Sequence, residues 1–194
     1  MPCYIPYWIY SSNYDYVDYP RMLRGGVEPT KYIESLKQWG KLLDAFLISR
    51  EDYILLDFLV NAFHAKSPND EHGLLKAYSL CQLFLDRESE RDLDVKLVRF
   101  MPALYSESER RECALVLRQL RNKLAHGDFA AFERKIELFA QRFMDSRFWF
   151  DYTELSRRNW ALSYARGLLD GALRQMIEML FVDREELNRI KMGG

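Results

Sequence analysis

The residues best equipped for chemistry lie in one string, Leu117-Arg118-Gln119-Leu120-Arg121-Asn122-Lys123-Leu124-Ala125-His126-Gly127-Asp128. Within it stand a guanidinium at Arg121, a carboxamide at Asn122 and an imidazole at His126. On a helix that turns about 100° per residue, Asn122 and His126 lie one turn apart on one face, while Arg121 stands about 140° from His126. A single helix therefore spreads these groups around its end, and Arg121 reaches His126 only by curling its long side chain. Two copies packed about a two-fold axis would bring both imidazoles and both guanidinium groups to one cleft. That arrangement has the parts for cutting RNA without a metal. A neutral imidazole removes the 2′-hydroxyl proton, a guanidinium neutralises charge developing on phosphate, and the second imidazole protonates the leaving oxygen.

The same string has a purely structural explanation. Basic residues in a last turn favour the negative end of the helix dipole, and Gly directly after it is the commonest stop. The local charge does not choose between the two. From Arg110 to His126 five cations (Arg110, Arg111, Arg118, Arg121, Lys123) face one acid, Glu112, a balance of +4. Arg118 and Lys123 are the candidates for direct phosphate contact, although a solvated helix face gives the same count.

The elements that must position these groups are helices. The 194-residue chain has 28 Leu against 17 Val, Ile and Thr together, a poor composition for sheets. Four of its six Pro lie in the first 29 residues, leaving only Pro68 and Pro102 to interrupt the rest. An all-α fold follows: an up-and-down bundle of about six to seven helices, with residues 29–194 as one domain behind an amino-terminal arm. With 28 basic and 29 acidic residues the net charge is −1, so the chain has no general field for binding nucleic acid, and any such contact must be local. Cys3, Cys81 and Cys113 are odd in number and share no short metal spacing, and His64 and His72 have no ligand pattern around them. No metal and no cofactor is expected, and a reducing, cytoplasmic setting fits the thiols. No apolar run approaches the roughly 18 residues of a membrane span, and the opening MPCYIPYWIY lacks the basic start of a secretory leader.

Residues 1–28 hold six of the twelve Tyr, with Trp8, and Pro2, Pro6 and Pro20 deny them a long helix. They read as an extended aromatic arm laid over the body or over a second subunit, with a base-stacking surface as the sharper alternative. Helices are predicted over about 30–47, 53–64 and 74–84, with Ser49 and Asp52 spaced to cap the second and Ser67-Pro68-Asn69-Asp70 forming a turn. A charged connection over 86–94 and a short helix stopped at Pro102 follow. Ser106 and Glu109 have capping-box spacing ahead of a long helix, Glu107 to about His126, with Gly127 as its C′ residue. Asp128 caps the next, 130–144. An aromatic knot at 148–152 precedes a last helix, 154–181, in which Gly167 and Gly171 are spaced to admit another backbone. His64 reads as a packed or capping residue.

An Arg-Asn-Lys-Leu-Ala-His-Gly string ending a long helix, in an all-α chain with a Leu-rich helix and a charged connection upstream, resembles the HEPN superfamily, particularly its Apea-like branch. The resemblance spans about 71–129, and the family's Arg-x(4–6)-His signature falls on Arg121 and His126, with Asn122 in the usual polar position. It implies a helical bundle that homodimerises so that two Arg/His pairs share a cleft. Many members are metal-independent endoribonucleases leaving a cyclic phosphate, in toxin, phage-defence or RNA-processing settings, with an antitoxin or other regulatory protein as partner. Others are non-catalytic dimerisation, interaction or ligand-binding modules. In the branch paired with small nucleotidyltransferases a Tyr stands two residues after the His. Here that position is Asp128, so adenylylation is not expected.

Overall fold

The computed structural model describes residues 29–47, 49–64, 71–85, 93–144 and 154–193. The arm over 1–28, the turn at Ser67–Asp70, most of the charged connection and the aromatic knot at 148–152 lie outside the described residues. Among those described, the fold is all-α, as composition requires, with eight α-helices and one 3-10 turn. The chain divides between Lys66 and Ser67 into two compact units.

The first unit contains α1 (Pro29–Phe46) and α2 (Arg50–His64). Pro29 occupies the first position of α1, where its missing N–H is no loss. The start of α2 is fixed by the expected pair. The Ser49 backbone N–H and hydroxyl both donate to Asp52 Oδ2, at 3.1 and 2.9 Å, while the Asp52 N–H donates back to Ser49 Oγ. Among the described residues of this unit Phe46 and Leu59 are the buried apolar side chains, whereas Ile33, Leu36, Ile54 and Phe58 stay exposed despite their helical spacing.

The second unit contains α3 (Glu71–Leu85), α4 (Leu93–Leu97) with the 3-10 turn Val98–Phe100, α5 (Glu107–Ala125), α6 (Phe129–Phe143), α7 (Glu154–Val182) and α8 (Arg184–Met192). Its core draws Leu74, Leu85, Leu97, Leu117, Leu120, Phe132, Ile136, Phe139, Leu162, Leu169 and Leu173 from five helices, α3 to α7. Contacts fix the directions. Arg158 pairs with Glu71 and Glu133, the Cys81 thiol donates to the Leu169 carbonyl, and the rings of Phe139 and Tyr164 meet at 6.1 Å. Residue numbers rise together along α3, α6 and α7, so these three run the same way, while Arg142 near the end of α6 pairs with Glu109 and Glu112 near the start of α5, which runs against them. Lys96 donates to the carbonyls of Leu85 at 3.1 Å and Lys191 at 2.7 Å, closing the ends of α3 and α8 with one ammonium.

One expectation changes: an eighth helix follows the seven expected, with Asp183 accepting from the Glu186 N–H as its N-cap and Gly193 ending it at φ 85°. Among the described residues no backbone approaches Gly167 or Gly171, where a Cβ would meet nothing within 4 Å.

Burial also sets thiol chemistry. Cys81 and Cys113 are fully covered, and loss of solvation pushes both thiols up to about 12. Both are therefore expected to resist alkylation by iodoacetamide at pH 8 in the native protein and to react once it is unfolded. Peptide mapping by mass spectrometry checks this, and rapid native labelling of either would contradict the packing.

Candidate functional site

The helix carrying the candidate residues is defined at both ends. At its start the Ser106 hydroxyl accepts from the Glu109 N–H while the Glu109 carboxylate accepts from the Ser106 N–H, completing the capping box that the spacing predicts. At its end the Gly127 N–H donates to Leu124 O at 3.0 Å and the Asp128 N–H to Lys123 O at 2.9 Å, with Gly127 at φ 70°. This pair of bonds is a Schellman closure, which needs the left-handed conformation that Gly adopts at no steric cost. Asp128 then caps α6 by accepting from the Ala131 N–H. Three successive residues, His126, Gly127 and Asp128, thus serve as the end of one helix, the turn and the start of the next.

The candidate side chains divide into two groups on this frame. His126 is the C-cap residue and is exposed; its backbone N–H donates to Asn122 O at 3.1 Å, which leaves the imidazole out of the helix's own bonding. Arg121 turns the other way, toward α3. Its guanidinium donates to Gln82 Oε1 at 3.2 Å and to Asn122 Oδ1 at 3.1 Å, and its central carbon lies 5.8 Å from the centre of the Tyr78 ring. Asn122 is thereby held by the residue before it. The structure brings Arg121 and Asn122 together directly and sets His126 one turn further on, at the solvent end of the same helix.

The two candidates for phosphate contact carry acidic partners. Arg118 meets Asp94 on α4 at 3.2 Å, and Lys123 meets Asp128 at 2.8 Å across the closed turn. The Lys123 ammonium, with the Ala131 N–H, holds the Asp128 carboxyl below the usual carboxylate range. A depressed acid of this kind supports the folded turn above its ordinary titration range and loses that support as the pH falls through its lowered value.

Sequence reading missed Tyr78, Gln82 and Asp94, which lie between 24 and 43 residues before their basic partners. Tyr78 is 1% exposed, yet its hydroxyl has no hydrogen-bond partner among the described residues. Burial first, and then the Asp94 charge, push this phenol well above its usual range. Since an unsatisfied buried hydroxyl costs about 1–3 kcal/mol, Tyr78→Phe is expected to leave stability unchanged or raised, by up to about 1 kcal/mol, in a urea titration; a large loss would mean that the hydroxyl has a partner.

A groove of about 390 Å³ between α5 and α6, lined by Glu112, Val116, Lys135, Leu138, Arg142 and Phe143 among others, contains none of the candidate residues. Among the described residues no three His, Cys, Asp or Glu side chains gather as a metal site would require, and no helix is long and apolar enough to cross a membrane. No protein-family model, curated protein or solved structure matches the chain.

Proposed function

We propose that this chain is a HEPN-like, metal-independent endoribonuclease whose cleft is composed by two copies. The observation that supports it most is the division of labour at the end of α5: Arg121 and Asn122 are positioned by each other and by α3, while the His126 imidazole stands exposed on a turn closed from both sides. In-line transesterification needs a fixed cation and a solvent-facing base in one cleft, which two copies of this helix end would bring together. His126, neutral, takes the proton from a 2′-hydroxyl, and the oxygen attacks the adjacent phosphorus. The bond from phosphorus to the 5′-oxygen breaks, leaving a 2′,3′-cyclic phosphate. The His126 of the second copy, protonated, gives its proton to the departing 5′-oxygen. Arg121 offsets the charge that accumulates on the phosphoryl oxygens, with Asn122 orienting the guanidinium.

A toxin or phage-defence setting, with an antitoxin or regulator as partner, belongs to this reading. The alternative, a non-catalytic dimerisation or ligand-binding module, draws on the ion pairs of Arg118 and Lys123, which engage the cations that would otherwise meet phosphate. Purified protein in chelator, assayed on single-stranded RNA beside His126→Ala and Arg121→Ala, distinguishes the two. Cleavage by the wild type alone supports the enzyme; equal rates from all three remove it. Light scattering tests the composite cleft separately, and a strictly monomeric mass at micromolar concentration would sink it.

A further inference from the structure

Phe129 stands out on the second unit because it is a large aromatic ring left 63% exposed, three residues after His126 and at the first position of α6. Of the exposed large apolar residues described there, only Phe129 and Trp160 are aromatic, and only Phe129 belongs to the α5–α6 turn. Its backbone is not free to swing. The Schellman closure at Gly127 lies on one side and the Asp128 cap on the other, so the ring projects from a fixed point. Cations lie close to it in the chain. Lys123 pairs with Asp128, and Arg134 lies near enough for its charge to favour the ionised Asp128, while Glu133, one helical turn on from Phe129, is paired with Arg158.

We propose that Phe129 is a stacking platform for an unpaired base of single-stranded RNA, placing the nucleotide next to the scissile phosphate at His126. This rests on the ribonuclease reading above and adds a binding residue to it. Proteins that hold single strands combine aromatic faces for the bases with cations for the backbone, and the stack is tolerant of sequence because every base has a π-face. The turn supplies both within a few residues. A purely apolar contact would be satisfied by Leu, whereas a stack requires a ring.

The test measures binding apart from cleavage. The full-length protein is titrated into a fluorescein-labelled single-stranded oligonucleotide with 2′-O-methyl riboses, which cannot be cut, and anisotropy is read for the wild type, Phe129→Ala, Phe129→Leu and Phe129→Trp. Expected is a 5- to 100-fold weaker Kd, on the order of one lost stack, for the Ala and Leu variants, with Trp restoring wild-type affinity and light scattering showing one mass throughout. Wild-type affinity in the Ala or Leu variant, no binding by the wild type, or a changed mass in Phe129→Ala, which would make the ring a subunit contact, would each overturn it. The two readings fail separately. Phe129-dependent binding by a protein that cleaves no RNA removes the ribonuclease and keeps the stack; His126-dependent cleavage with Phe129-independent binding does the reverse.

Discussion

Replacing His126 by Ala is expected to lower metal-free RNA cleavage by about 10²–10⁴-fold, the usual contribution of a positioned general acid or base, while leaving the melting temperature near the wild-type value. The two halves of that expectation come from one geometric fact. The contribution of His126 to closing α5 is made by its backbone N–H to Asn122 O, and Ala keeps that bond. The exposed imidazole can therefore be removed without opening the helix end. Arg121→Ala is a less clean probe. It is expected to cost about 10²–10³-fold through lost charge stabilisation, but it also releases Gln82, Asn122 and the Tyr78 ring. Arg121→Lys keeps the charge and loses the planar fork, so it should rescue folding more than activity. The double variant should be no slower than the slower single one, because groups that act on one transition state are not additive. Initial rates on a labelled oligoribonucleotide measure all of these. Wild-type cleavage by His126→Ala would end the proposed mechanism.

The second large effect concerns the core that holds this helix end in place. Phe139 on α6 is 1% exposed and packs against Phe143 at 5.3 Å between ring centres and Tyr164 at 6.1 Å, at the junction of α6 and α7. Phe139→Ala removes a buried ring and leaves a cavity, for a loss of about 3–5 kcal/mol. In a unit of this size that corresponds to a fall in Tm of roughly 10–20 °C. The neighbouring residue is the control. Leu138 is 55% exposed, and Leu138→Ala should change stability by no more than about 0.5 kcal/mol. Thermal melts followed by circular dichroism separate the two, and similar losses from both would contradict the assigned face of α6.

The parts of this molecule that were legible in the sequence are those written locally. Ser49 with Asp52, Ser106 with Glu109, Gly127 and Asp128 all act within four residues of where they stand, and each does what its spacing indicates. Asp183 and Glu186 carry the same signal for α8, but Asp183 alone separates it from α7, with no Gly or Pro to mark the break. Burial was less legible, since periodicity marks an apolar stripe without saying whether another element covers it. Ile33, Leu36 and Trp160 have the spacing of a core face and remain exposed. The site divides along the same line. That Arg121 and His126 lie on different sides of the helix follows from 100° per residue, whereas the Gln82, Tyr78 and Asp94 partners exist only because α3 and α4 pack on α5.

The double engagement of Lys96 has a consequence for how this unit opens. One ammonium serves the last carbonyls of two helices far apart in the chain, so neither end frays independently of the other. Release of the C-terminal helix removes one of the two acceptors that hold Lys96, and with it part of the restraint on the short helix that precedes α5. Motions that begin in α8 are thus expected to reach the segment through which Asp94 meets Arg118, and the amide protons of α8 and α4 are expected to exchange together.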